Sequence, residues 1–402
     1  MYSGVQMACL RVHNSLTGEM EEFVPGEPGL VRMYVCGPTV YDHAHLGHAR
    51  SDVFFDTVAR YLGFTGFRVT HVRNFTDIDD KIIQRSQLMN MGVSEVAGRF
   101  IDAYHADMAR LGARPPDHEP RVTEHIPVIT SLIDRLISQG YAYVHEGDVL
   151  FRAAAVDGYG LLARAGDRAG MNGSFHAAGN TAAKEDRRDF VLWKRSSGLG
   201  PVWESPWGPG WHVECAAMAR NLLGAEFDIH GGGRDLLFPH HENERAISRA
   251  CSGTHLARYW IHHAMVTVGN RTLSRSSGPP HLVGELCRRY HGEAIRLFIL
   301  STHYRRSLDF TTDRLDQAEA ALARLYRLYD RLEKGPESPR DCPDSPLIAR
   351  FCQAVENDLN FPGGINVIFA AVRRLNRVMR ENPGAATAHA HDRQELAGLI
   401  RL

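Results

Sequence analysis

Nowhere in its 402 residues does the chain hold the roughly 20 consecutive apolar residues that a membrane-spanning helix needs. Its first twenty residues also lack the charged-then-apolar order of a secretory signal. Net charge is missing too: 46 Lys and Arg stand against 47 Asp and Glu, leaving a formal charge of −1. That balance excludes a polycation coating nucleic acid over its whole surface, though a basic stripe on one face fits within a neutral total. Cysteine is sparse for a disulfide scaffold, with seven residues, an odd number, scattered through a long chain. The setting expected from this is a reducing cytoplasm with thiols free to bind metal. No fixed-period repeat or long low-complexity tract is evident, and 44% hydrophobic against 23% charged residues excludes general disorder. Histidine, by contrast, is plentiful at 22 residues, which directs attention to metal and phosphate chemistry.

The length suits two or three domains at about 150 residues each. Val31, Met33 and Val35 alternate with polar or small neighbours and run into Cys36-Gly37-Pro38-Thr39, a strand followed by a turn. Residues 47–62 carry Val53, Phe54, Val58, Ala59 and Leu62 at helical spacing, and Phe67, Val69 and Val72 alternate again. Strand, helix and strand in such close succession predict a right-handed βαβ unit in a parallel sheet, with the ligand beyond the carboxyl ends of the strands. Helical patterns fill 90–140, strand candidates fall at 149–151 and 190–193, and a loop rich in Gly, Asn and Ala spans 170–183. Residues 211–270 return to strand and helix, with Gly231-Gly232-Gly233 expected at a turn. The expected architecture is an α/β, Rossmann-like catalytic domain over 1–306, interrupted by an insertion at about 90–200, and then an α-helical bundle over 307–402. Two amphipathic stripes support the bundle: Leu315, Ala318, Leu322, Leu325, Tyr329 and Leu332, then Ile365, Ile368, Phe369, Val372, Leu375 and Met379. A Pro-rich stretch at 334–346 separates them, and they are expected to pack on each other.

His45-Leu46-Gly47-His48 lies between the first strand and its helix. A helix start offers free N–H groups and positive dipole to an anion, two imidazoles can reach the same phosphates, and Gly47 lets a base approach the backbone. A histidine pair near a turn also serves as a surface or capping pair. Further on, His240 and Glu244 are four apart just after Pro239, which fits a first helical turn and stacks the pair on one face, whereas His241 would pair with Arg245. With Cys215 upstream and Cys36 at the end of the first strand, two thiolates, an imidazole and a carboxylate make a plausible zinc set. Spacing alone leaves open a surface ion pair and two small buried thiols.

His45 to His48 has the form of the HIGH signature of class I aminoacyl-tRNA synthetases, and Met33 to Asp42 resembles the cysteinyl-tRNA synthetases in particular. Asn74 to Lys81, Phe190 to Lys194, Ser205 to Gly208, Trp211 to Cys215 and Phe227 to Glu244 continue the likeness in order, over about residues 8 to 380. The resemblance implies a class I synthetase sheet with an inserted subdomain, and cysteine–tRNA ligase activity on cysteine, ATP with Mg²⁺, and tRNA. It implies one Zn²⁺ per chain on Cys36, Cys215, His240 and Glu244, with His45 and His48 on the phosphates. Gly37, Thr39, Gly47, Thr76 and Asp235 are then substrate contacts, and Trp211 and His230 close around the amino acid, where a core aromatic is the other reading of Trp211. Zinc suits the task because cysteine and serine differ by one atom, for which pocket shape gives only about 1–3 kcal/mol, while the metal favours sulfur. A cytoplasmic monomer is expected.

The chain departs from this family in two main places and, to a smaller extent, at Lys184 to Asp189, where the family usually has a Pro. The mobile Lys-Met-Ser-Lys-Ser loop of class I synthetases corresponds here to Thr272-Leu273-Ser274-Arg275-Ser276. Thr272, Ser274 and Ser276 remain ATP-side candidates and Arg275 keeps one phosphate-binding charge, so adenylation is expected to persist at a reduced rate. Full-length members also continue into a small anticodon-binding domain, which is expected to be absent here. Two other readings follow: a ligase acylating a small amine, resembling the mycothiol-pathway ligases, and a non-catalytic paralogue that binds cysteine or ATP. Asn74 to Lys81 and Trp211 to Glu244 read closer to the synthetases.

Overall fold

The computed structural model describes residues 9–164, 184–195, 198, 200–208, 210–211, 215–269, 271–272, 281–333 and 345–381. A hairpin of β1 (Arg11–Asn14) and β2 (Glu19–Glu22) leads into β3 (Leu30–Val35), α1 (Leu46–Phe64) and β4 (Arg68–Arg73). Three helices follow, α2 (Asp80–Met89), α3 (Val93–Arg110) and α4 (Ile126–Ser138), and then the antiparallel strands β5 (Ala142–His145), β6 (Asp148–Phe151), β7 (Phe190–Arg195) and β8 (Gly210–Trp211). Next come α5 (Cys215–Leu223), β9 (Phe227–Gly233), α6 (Glu242–Ser252) and β10 (Ala257–His263). The short strands β11 (Val266–Val268), β12 (Arg271–Thr272) and β13 (Leu308–Asp309) flank α7 (Gly292–Leu300), and α8 (Thr312–Glu333), α9 (Pro346–Val355) and α10 (Phe361–Glu381) complete the described chain.

The central sheet is parallel, in the order β10-β9-β3-β4. The expected βαβ unit is therefore present, as an α/β fold with a helical region after it. Met33, Tyr34 and Val35 are buried in succession, as in a strand covered on both faces. Sequence position 36, where β3 ends, thus opens at the carboxyl edge of the sheet, where α1 begins.

Gly231-Gly232-Gly233 does not form a turn. It is the buried end of β9, paired with β10 from Ile261 to His263. The glycines answer to crowding: a Cβ on Gly231 would collide with the Phe55 ring, and one on Gly232 would come within 2.8 Å of the His241 ring. Glycine here lets α1 and the histidine cluster approach the strand closely, where any side chain would overpack.

The helical stripes also differ from expectation. They do not pack only on each other. Leu328, Ala371, Val372 and Leu375 share one core with Phe54, Tyr61 and Leu62 of α1 and with Met33 and Ile229 of the sheet, while Leu315 and Ala318 join Ile295 and Phe298 of α7. The cause lies in α1, whose Phe54, Phe55, Val58, Tyr61 and Leu62 are all buried, so that it carries apolar surface toward both the sheet and the bundle. No helix among the described residues is long and apolar enough to cross a membrane.

Candidate active site

The end of β3 and the start of α1 build one wall of a 340 Å³ cavity that His45, Gly47, His48, Gly37 and Thr39 line. His45 is the N-cap of α1: its Nδ1 accepts the Gly47 N–H at 3.0 Å, while His48 Nδ1 accepts the His45 N–H at 3.2 Å. The two rings stack with centroids 3.9 Å apart and planes 14° off parallel. This reciprocal cap fixes both tautomers. An imidazole that accepts through Nδ1 carries its proton on Nε2, so each ring has a donor suited to a phosphate oxygen. Capping and phosphate binding, two readings of one motif, are thereby compatible.

Gly37 is held by its neighbours: its N–H donates to Asn74 Oδ1 at 3.0 Å, and a Cβ there would collide with the Asn74 carbonyl oxygen. Thr39 and Thr76 face each other across a parallel bridge, with Val40 N–H donating to the Thr76 carbonyl at 3.2 Å. Several cavity residues escaped sequence reasoning. Asp52 follows His48 by one helical turn, a spacing that could have indicated it. Its carboxylate pairs with buried Arg73, which also pairs with Glu119. Burial pushes the Asp52 carboxyl up although Arg73 opposes the shift. The Arg73 guanidinium lies 5.1 Å from the centre of the Tyr104 ring, and Tyr104 lies edge-on to His48. Arg73 and Tyr104 come from separate elements and carry no sequence signal toward the site.

A second cavity, 270 Å³, adjoins the first through Cys36, Gly37, Thr39 and Leu236. Cys215, His240, Glu244 and Thr76 line its far side. Here Cys36 Sγ lies 3.3 Å from Glu244 Oε1 and 3.6 Å from His240 Nε2, and His240 Nε2 lies 3.1 Å from Glu244 Oε1. Donor atoms of Cys36, Cys215, His240 and Glu244 all fall within 4.8 Å of one another, so these four could hold a metal ion. Their closest separations match the edge, about 3.5 Å, of a tetrahedron with zinc-length bonds. Electrostatics agree. Hydrogen bonding from Cys36 draws the Cys215 thiol down to about 6 against its burial, while burial pushes the Cys36 thiol well up. Burial alone would raise the Glu244 carboxyl, but His230 and His240 outweigh it and hold it low.

His240 and Glu244 do share a face, as the place of Pro239 suggests. Within Leu237–His241 only Phe238 leaves the helical conformation, at φ −140°, ψ 133°, and the helical turn after it runs on into α6, which begins at Glu242. His241 does not pair with Arg245. It is fully buried, its Nδ1 lies 2.8 Å from His262 Nε2, and Arg245 pairs with Glu242.

His230 is also fully buried, with Nε2 3.1 Å from Glu244 Oε2 and 3.9 Å from Cys36 Sγ, so it stands behind the donor set. With Cys36, His241 and Glu244 it forms a second, overlapping group of converging donors. Asp235 lines the first cavity, where burial raises its carboxyl. Thr272 is exposed on β12, which pairs with β11 next to the cavity residues Met265 and Val266. Ser274, Arg275 and Ser276 lie outside the described residues, as does the side chain of Trp211.

The family of class I (C) tRNA synthetase catalytic domains matches residues 22–320, and the DALR domain family matches residues 350–401. The chain is 45% identical to a cysteine–tRNA ligase of Methylococcus capsulatus over 98% of its own length and 85% of the relative's. It is 43% identical to one of Geobacter metallireducens, over 97% and 84%. In fold it is similar to Mycobacterium tuberculosis methionyl-tRNA synthetase in complex with methionyl-adenylate, with a TM-score of 0.64 at 16% identity, covering 91% of this chain and 88% of that one. The leucyl enzyme of Agrobacterium radiobacter, in a ternary complex, gives a TM-score of 0.62 at 12% identity, with 94% and 84% covered.

Proposed function

The chain belongs to the cysteine–tRNA ligase family of class I aminoacyl-tRNA synthetases, and from that membership we propose that it activates cysteine with ATP and transfers it to tRNA. The observation that carries this reading is the wall shared by the two cavities. Cys36, Gly37 and Thr39 border both the thiol-rich pocket and the pocket of the two Nε2–H donors. A cysteine seated in the thiol-rich pocket therefore directs its carboxylate toward a nucleotide seated in the pocket of the two histidines.

In the first step that carboxylate attacks the α-phosphate of ATP, and pyrophosphate leaves with Mg²⁺. His45 and His48 donate to the phosphate oxygens as charge develops on them, and Arg275 takes the leaving pyrophosphate. Gly47, Thr272, Ser274 and Ser276 belong to the same nucleotide side, while Thr39, Thr76 and Asp235 hold the polar groups of the amino acid and Trp211 closes over it. In the second step the terminal ribose hydroxyl of tRNA attacks the mixed anhydride and AMP leaves. Little covalent chemistry falls to the protein, so positioning and fixed charge supply the rate. Cys36, Cys215, His240 and Glu244 would hold Zn²⁺, which when bound takes sulfur in preference to oxygen and lowers the thiol pKa. The catalytic domain of this reading spans 1–306 with its insertion at about 90–200, the bundle spans 307–402, and the protein works as a cytoplasmic monomer.

A tRNA acceptor is supported by charge. Arg324, Arg327 and Arg331 of α8 and Arg373, Arg377 and Arg380 of α10 line a 920 Å³ cleft in a chain whose net charge is only −1. This is a local basic face of the kind that contacts a phosphate backbone. The direct test incubates the protein with ATP, labelled cysteine and total tRNA. Label is expected in tRNA; exchange of pyrophosphate without tRNA charging would favour a small-amine acceptor, and no exchange would favour a binding paralogue. In the same assay, Arg327→Glu with Arg377→Glu is expected to raise the KM for tRNA at least about tenfold and to lower the salt slope by about 2. Cysteine-dependent pyrophosphate exchange, which needs no tRNA, should not change.

A further inference from the structure

Tyr34 lies on β3 two residues before Cys36, whose N–H carries the ladder one residue further to the Gly231 carbonyl at 3.1 Å, so the pleat places both side chains on one face of the sheet. They pack there in one cluster with Cys215, the first residue of α5. The Tyr34 ring is 0% exposed, and its hydroxyl has no nitrogen or oxygen partner. The polar groups near enough to act on it are those of Cys215, Cys36 and Glu244. Across the strand pair, where His230 of β9 is its register partner, the ring lies 5.5 Å from the His230 imidazole, centre to centre, and His230 Nε2 is 3.1 Å from Glu244 Oε2. A phenol O–H without an acceptor is costly in a dry core, and the acceptor chemistry beside this one is cysteine sulfur. As a thiol that sulfur accepts weakly; as a thiolate it accepts a charge-assisted hydrogen bond.

We propose that Tyr34 is a positioning residue of the metal centre, its hydroxyl donating to the Cys215 sulfur when that sulfur is a metal ligand. The inference rests on the metal reading above and extends it beyond the four donors. Donation to the thiolate withdraws charge from it, orients its lone pairs and leaves the ion more electrophilic toward an incoming thiol. His230 plays the matching part for Glu244, so β3 and β9 each hold one ligand in place from behind.

The test is the Tyr34→Phe variant of the full chain, compared with wild type and with Tyr61→Phe. Tyr61 provides a matched control, being another buried phenol without a nitrogen or oxygen partner, beside Cys352 on the bundle side of the core. Zinc affinity is read by chelator competition, and the thiolate-to-metal charge-transfer absorption is read after cobalt substitution. Tyr34→Phe is expected to weaken zinc binding about 10- to 100-fold and to move the cobalt band to longer wavelength, while Tyr61→Phe changes neither. No protein nitrogen or oxygen loses a partner, so the metal-free variant should melt no lower than the wild type. If it does not fold, Tyr34→Leu also lacks the hydroxyl and takes its place. Wild-type affinity and an unmoved band in the folded variant would overturn the inference alone. A wild-type chain that takes up no zinc would overturn the metal reading and the inference together.

Discussion

Cys215→Ser is expected to retain the fold, lose zinc and with it nearly all cysteine-dependent pyrophosphate exchange, the little that remains preferring cysteine over serine only weakly. The serine hydroxyl is nearly isosteric with the thiol but is a poor ligand for a metal that favours thiolate. Cys215 is buried in the far wall of the thiol-lined cavity, against Asn74 Oδ1 at 3.6 Å and opposite Cys36, His240 and Glu244. With one donor gone, the remaining pocket distinguishes sulfur from oxygen by shape and polarity alone. That supports a factor of only about 10 to 200, far below the selectivity that direct coordination of the substrate sulfur provides. Metal content by elemental analysis and exchange rates with the two amino acids, measured on the same preparation, check both halves. A variant that keeps zinc and full selectivity would remove Cys215 from the site.

The second large effect is on the nucleotide side. In the proposed reaction His48 has two jobs: its Nδ1 closes the reciprocal cap at the start of α1, and its Nε2–H donates to phosphate. His48→Gln separates them, because glutamine at this helix position also accepts from the cap backbone. The expected result is a fall of about 10²- to 10³-fold in cysteine-dependent pyrophosphate exchange, the usual loss when one preorganised donor to a developing charge is removed. Zinc content should stay at the wild-type level and the melting temperature should barely move. If exchange in His48→Gln stays within a few-fold of wild type, the cap is the residue's whole role.

Local periodicity made the parallel βαβ core legible, because β3, α1 and β4 each bury side chains at their own period. It failed where a third element intrudes. Gly231 to Gly233 reads as a turn by composition, yet Phe55 and His241 press against the strand and only glycine leaves them room. The helical stripes read as mutual partners, but α1 is apolar on both sides and draws Leu328 and Val372 into the sheet's core. At the candidate site, His45 and His48 were visible from their place at a strand-to-helix turn, and His240 with Glu244 from their spacing. Cys36 lies 208 residues before Glu244, a separation no periodicity bridges, so family resemblance had to join them. Arg73 and Tyr104 had no such signal, since a buried ion pair and an aromatic contact across separate elements leave no pattern in a linear chain.

The central claim is that metal and nucleotide chemistry form one site through the wall at Cys36, Gly37 and Thr39. Its most direct test is to strip the protein of metal, add zinc in steps, and follow cysteine-dependent pyrophosphate exchange. Exchange is expected to start near zero, rise in proportion to zinc, and saturate at one ion per chain. Full exchange with cysteine in the metal-free protein would contradict the account.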